Sequence, residues 1–205
     1  MRDRSPGAWL AYADEAYLAA RLLWFTGIPI ESALSAHRAL ERYFKGYLTA
    51  SGVRMEGEVG AWGRNLDTMR SVAAAFDETF REESVRARTR GLQALYRELK
   101  EPRKGAGEGD VRLSWARVIV PTDDLVAFLR PRVRLDPSAW ARTPLNLERH
   151  RDGRPNPFRR RALSQHNPHL DTILCTETGR PPLAFRPFEE GWAEAEGAGQ
   201  DSAGR

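Results

Sequence analysis

From Glu31 to Gly52 the chain reads ESALSAHRALERYFKGYLTASG, and apolar residues recur there at intervals of three and four. That spacing places Ala33, Ala36, Leu40, Phe44 and Tyr47 on one face of an α-helix and leaves no alternation on which a strand could be built. On the flank of this face His37, Glu41 and Lys45 lie four apart, with Glu ahead of Lys in the order that favours a helical ion pair. The flank reads first as a solvated edge and second as a row facing a groove or a partner. Gly52, just past the last periodic residue, supplies the stop.

The same period organises the rest of the first 134 residues. Ser5 followed by Pro6 is a capped helix start, and Trp9, Ala13, Ala16, Tyr17, Ala20, Leu23 and Trp24 form a stripe that predicts a helix over 6–25. Gly27 and Pro29 make a short turn, so this helix and the next are antiparallel neighbours. Residues 53–63, with three glycines, read as a loop. Asn65 caps a third stripe of Leu66, Met69, Ala73, Phe76 and Phe80, and a fourth after Ser84 runs through Val85, Leu92, Leu95, Tyr96 and Leu99 to a stop at Pro102. Thr122 caps a fifth helix, with Asp123 and Asp124 at its positive end, Leu125, Phe128, Leu129 and Val133 facing inward and Pro131 free to kink it. The expectation is an all-α, up-and-down bundle of about five helices over residues 1–134. Trp9, Trp24, Trp62, Tyr43 and Tyr47 exceed what one small bundle readily hides, which points to a homodimer.

Beyond Leu135 the period disappears, and residues 135–205 read as an irregular extension. Ten arginines fall between Arg130 and Gln165 against three acids, with five prolines among them, so this part reads as an extended basic arm. Arg149, Arg151, Arg154, Arg159, Arg160 and Arg161 are its candidates for contact with a nucleic-acid backbone. DTILCT, at 171–176, is strand-like, and the acidic end from Glu189 is expected to be disordered.

Composition narrows the function classes. No run approaches the length of a membrane span, the N-terminus lacks a signal-peptide core, and the single Cys175 rules out an internal disulfide, so a cytoplasmic protein with no membrane partner is expected. The net charge is +4 and only Lys45, Lys100 and Lys104 are lysine, a balance suited to phosphate but equally to an arginine-rich proteome. Gly105, Gly107 and Gly109 lack the Gly-Lys-Ser/Thr ending of a phosphate loop. His166, His169 and Cys175, with His150 further off, have metal-ligand chemistry without the paired spacing of a zinc site, so no metal and no cofactor are expected.

Ala39, Glu41, Lys45 and Leu48 resemble the second helix of HEPN domains, and Gly63, Arg64, Asn65 and Leu66 resemble that family's Gly-His-Asn-Leu start of the third helix, with Arg64 in place of histidine. Tyr96 through Pro102, followed by the Thr122 helix, is similar to its fourth helix and its close, so that the resemblance spans about residues 8–134. It implies a bundle that pairs with itself and is often encoded beside a minimal nucleotidyltransferase in toxin-antitoxin or defence modules. His37, Glu41, Lys45, Arg64, Asn65 and Arg97 are then the candidates for binding a nucleotide or a partner. Many members are metal-independent ribonucleases with Arg-x4-6-His, whose arginine holds the scissile phosphate while the histidine moves the proton or stabilises charge. Here Arg159, Arg160 and Arg161 stand at that spacing before His166, in the arm, and His37 is the bundle's only histidine. The reading that follows is a non-catalytic or regulatory RNA- or nucleotide-binding partner. A ribonuclease toxin using His37 or the Arg161/His166 pair, and a pure protein-interaction module, are the alternatives.

Overall fold

The computed structural model describes residues 5–53, 63–100, 113–136, 139–140, 143–145 and 157–173, and among them every regular element is helical. Helix α1 (Pro6–Phe25) starts as the sequence predicts: the Ser5 hydroxyl accepts the N–H of Ala8 at 3.2 Å and Pro6 takes the first position. Helix α2 (Pro29–Ala50) starts two residues ahead of Glu31, because Pro29 is itself a good first helical residue. The left-handed turn at Gly27, φ +77°, reverses the chain between them. Helix α2 packs against α1 and against the next three helices, which puts it at the centre of the bundle.

Helix α3 (Leu66–Ala73) carries the Asn65 cap, whose side chain accepts the N–H groups of Asp67 and Thr68 at 3.0 and 3.2 Å. It ends at Ala73 rather than at Phe80. Asp77 caps a separate 3-10 turn (Glu78–Arg81) by accepting from Thr79, which carries Phe80 into the core and leaves Phe76 51% exposed. Helix α4 (Glu83–Lys100) follows.

Helix α5 (Trp115–Leu129) departs furthest from expectation. The Ser114 hydroxyl accepts the N–H of Arg117 at 3.2 Å, so the helix starts seven residues before Thr122 and contains Pro121. Thr122 caps nothing; its hydroxyl donates to the carbonyl of Val118. Asp123 and Asp124 therefore sit in the middle of a buried helix, 2% and 1% exposed, and the helix dipole does not account for them.

Phe80 centres the apolar core, edge-on to Phe128 with ring centroids 5.0 Å apart and tilted against Phe44 and Tyr47. Trp140, Leu145, Leu163 and Ile173 belong to the same cluster, so the core continues past residue 134. After a 3-10 turn (Arg130–Arg132), helix α6 (Pro157–Ser164) forms where prolines and arginines suggested extended chain. The strand-like run begins instead as a short helix, α7 (Leu170–Ile173), with the N–H of Ile173 bonded to the His169 carbonyl at 2.9 Å. A lone strand here would have no neighbour for its backbone groups, whereas a helical turn satisfies them internally. Tyr43 and Tyr47 are buried within one chain, which removes them from the argument for a dimer, and Trp62 lies outside the described residues. No described helix is long and apolar enough to cross a membrane.

Candidate nucleic-acid interface

The polar row of α2 splits. His37 is 1% exposed because α1, α4 and α5 wrap α2 so closely that all of Ser32–His37 is buried. Its ring stacks on Tyr96 of α4, centroids 3.8 Å apart and planes 14° apart, with Nε2 3.3 Å from Gln93 Oε1. That oxygen also accepts the Leu66 N–H at 2.8 Å, so His37 Nε2 carries the proton. Nδ1 is then a bare acceptor, and it is buried without a hydrogen-bond partner among the described residues. Burial lowers the His37 pKa from its ordinary value, against the Gln93 hydrogen bond, and the nearby Arg64 charge adds to the lowering. Four residues on, Glu41 and Lys45 form the expected pair, and the Lys45 ammonium lies 5.4 Å from the centroid of the Trp9 ring.

Arg64 is exposed and donates from Nη1 to the Tyr96 hydroxyl at 3.3 Å, while Asn65 is occupied in capping α3. Arg97, the residue after Tyr96, is exposed as well. Tyr96 thus joins His37 to Arg64, and a half-buried aromatic ring with an arginine at its hydroxyl reaches the surface.

The second group of candidates meets the bundle through α6, which packs against α1. Arg161 is exposed near the end of that helix; the side chains of Arg159 and Arg160, and all of Arg149, Arg151 and Arg154, lie outside the described residues. The docking is made by Arg21 of α1, which donates to the carbonyls of Ala162, at 2.6 Å, and Gln165, and also to Asp123 Oδ2. Asp123 Oδ1 accepts the Tyr17 hydroxyl at 2.7 Å, and that hydroxyl accepts from Asn167 Nδ2 at 3.0 Å. Burial raises the Tyr17 pKa well above the ordinary value, and burial also raises Asp123 despite the pull of Arg21. Next along the turn, His169 Nε2 is 2.6 Å from Asp124 Oδ1, whose other oxygen binds Arg88. His166 is exposed at φ +49°, a left-handed conformation uncommon outside glycine that histidine adopts more readily than most residues, and lies edge-on to Trp115. With Val120, Asp123, Asp124 and Pro168 it lines a small cleft too narrow to admit a water molecule. The turn that the sequence leaves without fixed geometry is held by two helices of the bundle, α1 and α5.

A parallel network ties the other end of this segment. Asp14 accepts the Tyr43 hydroxyl at 2.7 Å, two bonds from Arg130 at 2.9 and 3.1 Å, and the Leu145 N–H at 3.1 Å. Arg130 also donates to Thr143 Oγ1 at 2.9 Å and to the Ile173 carbonyl. Sequence reasoning misses Asp14 and Arg21 and takes Asp123 and Asp124 for helix-start charges and Arg130 for part of a basic arm, although one signal is present. Leu10, Asp14, Tyr17 and Arg21 follow the buried stripe of α1 at spacings of four, three and four, so both charges fall on its inner face. Among the described residues no group of three or more His, Cys, Asp or Glu side chains is placed to hold a metal ion. Compared with family models, with curated proteins and with solved structures, the chain matches none of them.

Proposed function

We propose that the chain is a HEPN-type module that binds RNA or a nucleotide without cleaving it, as the regulatory partner of a minimal nucleotidyltransferase in a toxin-antitoxin or defence pair. The observation that carries this reading is the surface at Tyr96, where a half-buried aromatic ring is joined to exposed Arg64 and followed by exposed Arg97. Aromatic faces stack bases of any sequence while arginines hold the backbone, the usual chemistry of single-strand binding. A further exposed arginine, Arg161, stands on the docked helix α6. His37, the histidine nearest this surface, is sealed beneath Tyr96 and kept neutral by burial, which suits a packing role better than proton transfer to a substrate. The test is binding of a single-stranded oligoribonucleotide across a salt series. Affinity should fall as salt rises, and Arg64→Ala or Arg97→Ala should each reduce the slope of log affinity against log salt by about 0.7, the single-strand value for one lost phosphate contact. Salt-independent affinity, or wild-type slopes in both variants, would sink the reading.

The ribonuclease alternative has one specific support. Arg161 and His166 belong to a tethered segment, and the nearby His169 is oriented by the buried Asp124. RNA cleavage in chelator that is lost in His166→Ala or His169→Ala would favour it over the binding reading.

A further inference from the structure

Helix α6 buries Ala162 and Leu163 against the bundle and is gripped by its backbone as well. Arg21 donates to the carbonyls of Ala162 and Gln165 at the C-terminal end of the helix, where unpaired carbonyls and the negative end of the dipole favour a cation. One turn later Asn167, 9% exposed, uses both ends of its amide: Nδ2 donates to the Tyr17 hydroxyl at 3.0 Å and Oδ1 accepts the His169 N–H at 3.1 Å. The Asp124–His169 contact closes the segment on α5. We propose that Arg21 and Asn167 form a clasp that positions the arginine-bearing helix α6 for an RNA phosphate backbone without touching the RNA. The inference rests on the RNA-binding reading and adds to it a division of labour between residues that contact phosphate and residues that place them.

The physics separates the two roles. Counterion release depends on how many cations meet phosphates, so losing a contact arginine lowers the salt slope. A loosened α6 keeps its arginines and therefore its slope, but must be ordered again on binding, which weakens affinity at every salt concentration. Asn167 is the better residue to alter, because removing Arg21 would strand the buried Asp123 and risk the whole fold.

The experiment uses the full chain and a polyuridylate oligomer, with wild type, Asn167→Ala and Arg161→Ala compared by thermal melting, by hydrogen exchange over 157–173 and by affinity across a salt series. Asn167→Ala is expected to melt below wild type while still folding cooperatively, to exchange faster over 157–173, and to bind more weakly by roughly tenfold or more, the effect of its two lost side-chain hydrogen bonds, with the salt slope unchanged. Arg161→Ala is expected to keep wild-type exchange and lose slope. Unchanged exchange in Asn167→Ala overturns the clasp, and faster exchange with undiminished affinity overturns its positioning role. If wild type shows no salt-dependent binding, the RNA reading fails, and the exchange comparison then decides the clasp alone.

Discussion

At the scale of single residues the molecule is governed by charges and an imidazole that have left water. Asp14 satisfies Tyr43, Arg130 and the Leu145 N–H at once, so Asp14→Ala would strand a buried guanidinium, at a cost of about 3–5 kcal/mol of stability. Urea denaturation of the variant beside wild type would show it as a lower midpoint at similar slope. For His37 the sign follows from burial: the folded state holds its proton less tightly than the unfolded chain, whose histidine titrates at about 6.5. As pH falls below that value the unfolded state takes up the proton first, so this residue removes stability on acidification and contributes none of that loss at higher pH. His37→Gln should therefore lose less melting temperature than wild type between pH 7.5 and 5.5. An equal loss in both chains would contradict the buried, neutral assignment.

At the scale of elements, legibility in the sequence followed the chemistry of helix ends. Caps with a short polar side chain on an apolar stripe could be read directly, as at Ser5 and Asn65. Helix α5 could not be read this way, because Pro121 looks like a boundary and Thr122 like a cap, while the true cap, Ser114, follows a glycine-rich stretch. Ser114→Ala should cost about 1 kcal/mol, the ordinary value of an N-cap, whereas Thr122→Val removes only the bond to the Val118 carbonyl inside the helix. Paired melting curves would distinguish the two starts, and a wild-type melt for Ser114→Ala would count against the longer helix. The Tyr96 surface was partly legible, since Arg64 and Arg97 could be named from the sequence. His37 was misplaced because helical spacing reports which residues share a face, and not how far neighbouring helices wrap around it.

At the scale of the whole molecule, Trp140, Leu145, Leu163 and Ile173 share one core with the bundle, and two buried ionic networks tie the described residues around them to it. A chain ending at Leu135 would lose Trp140, Leu145, Leu163 and Ile173 from that core. Each such side chain contributes about 1.5–3 kcal/mol on burial, so their sum rivals the roughly 5–15 kcal/mol that holds a typical domain together. The shortened chain is expected to lose its cooperative melt; circular dichroism beside the full chain would decide. The grip on α6 has a further consequence, for sequence drift. Main-chain carbonyls are supplied by every residue type, so Arg21 reads the backbone at Ala162 and Gln165 rather than their side chains, and only burial restricts Ala162 to a small residue. The outer surface of α6 is thereby free to vary its charge, and to be retuned toward a different ligand, without renegotiating its attachment to the bundle.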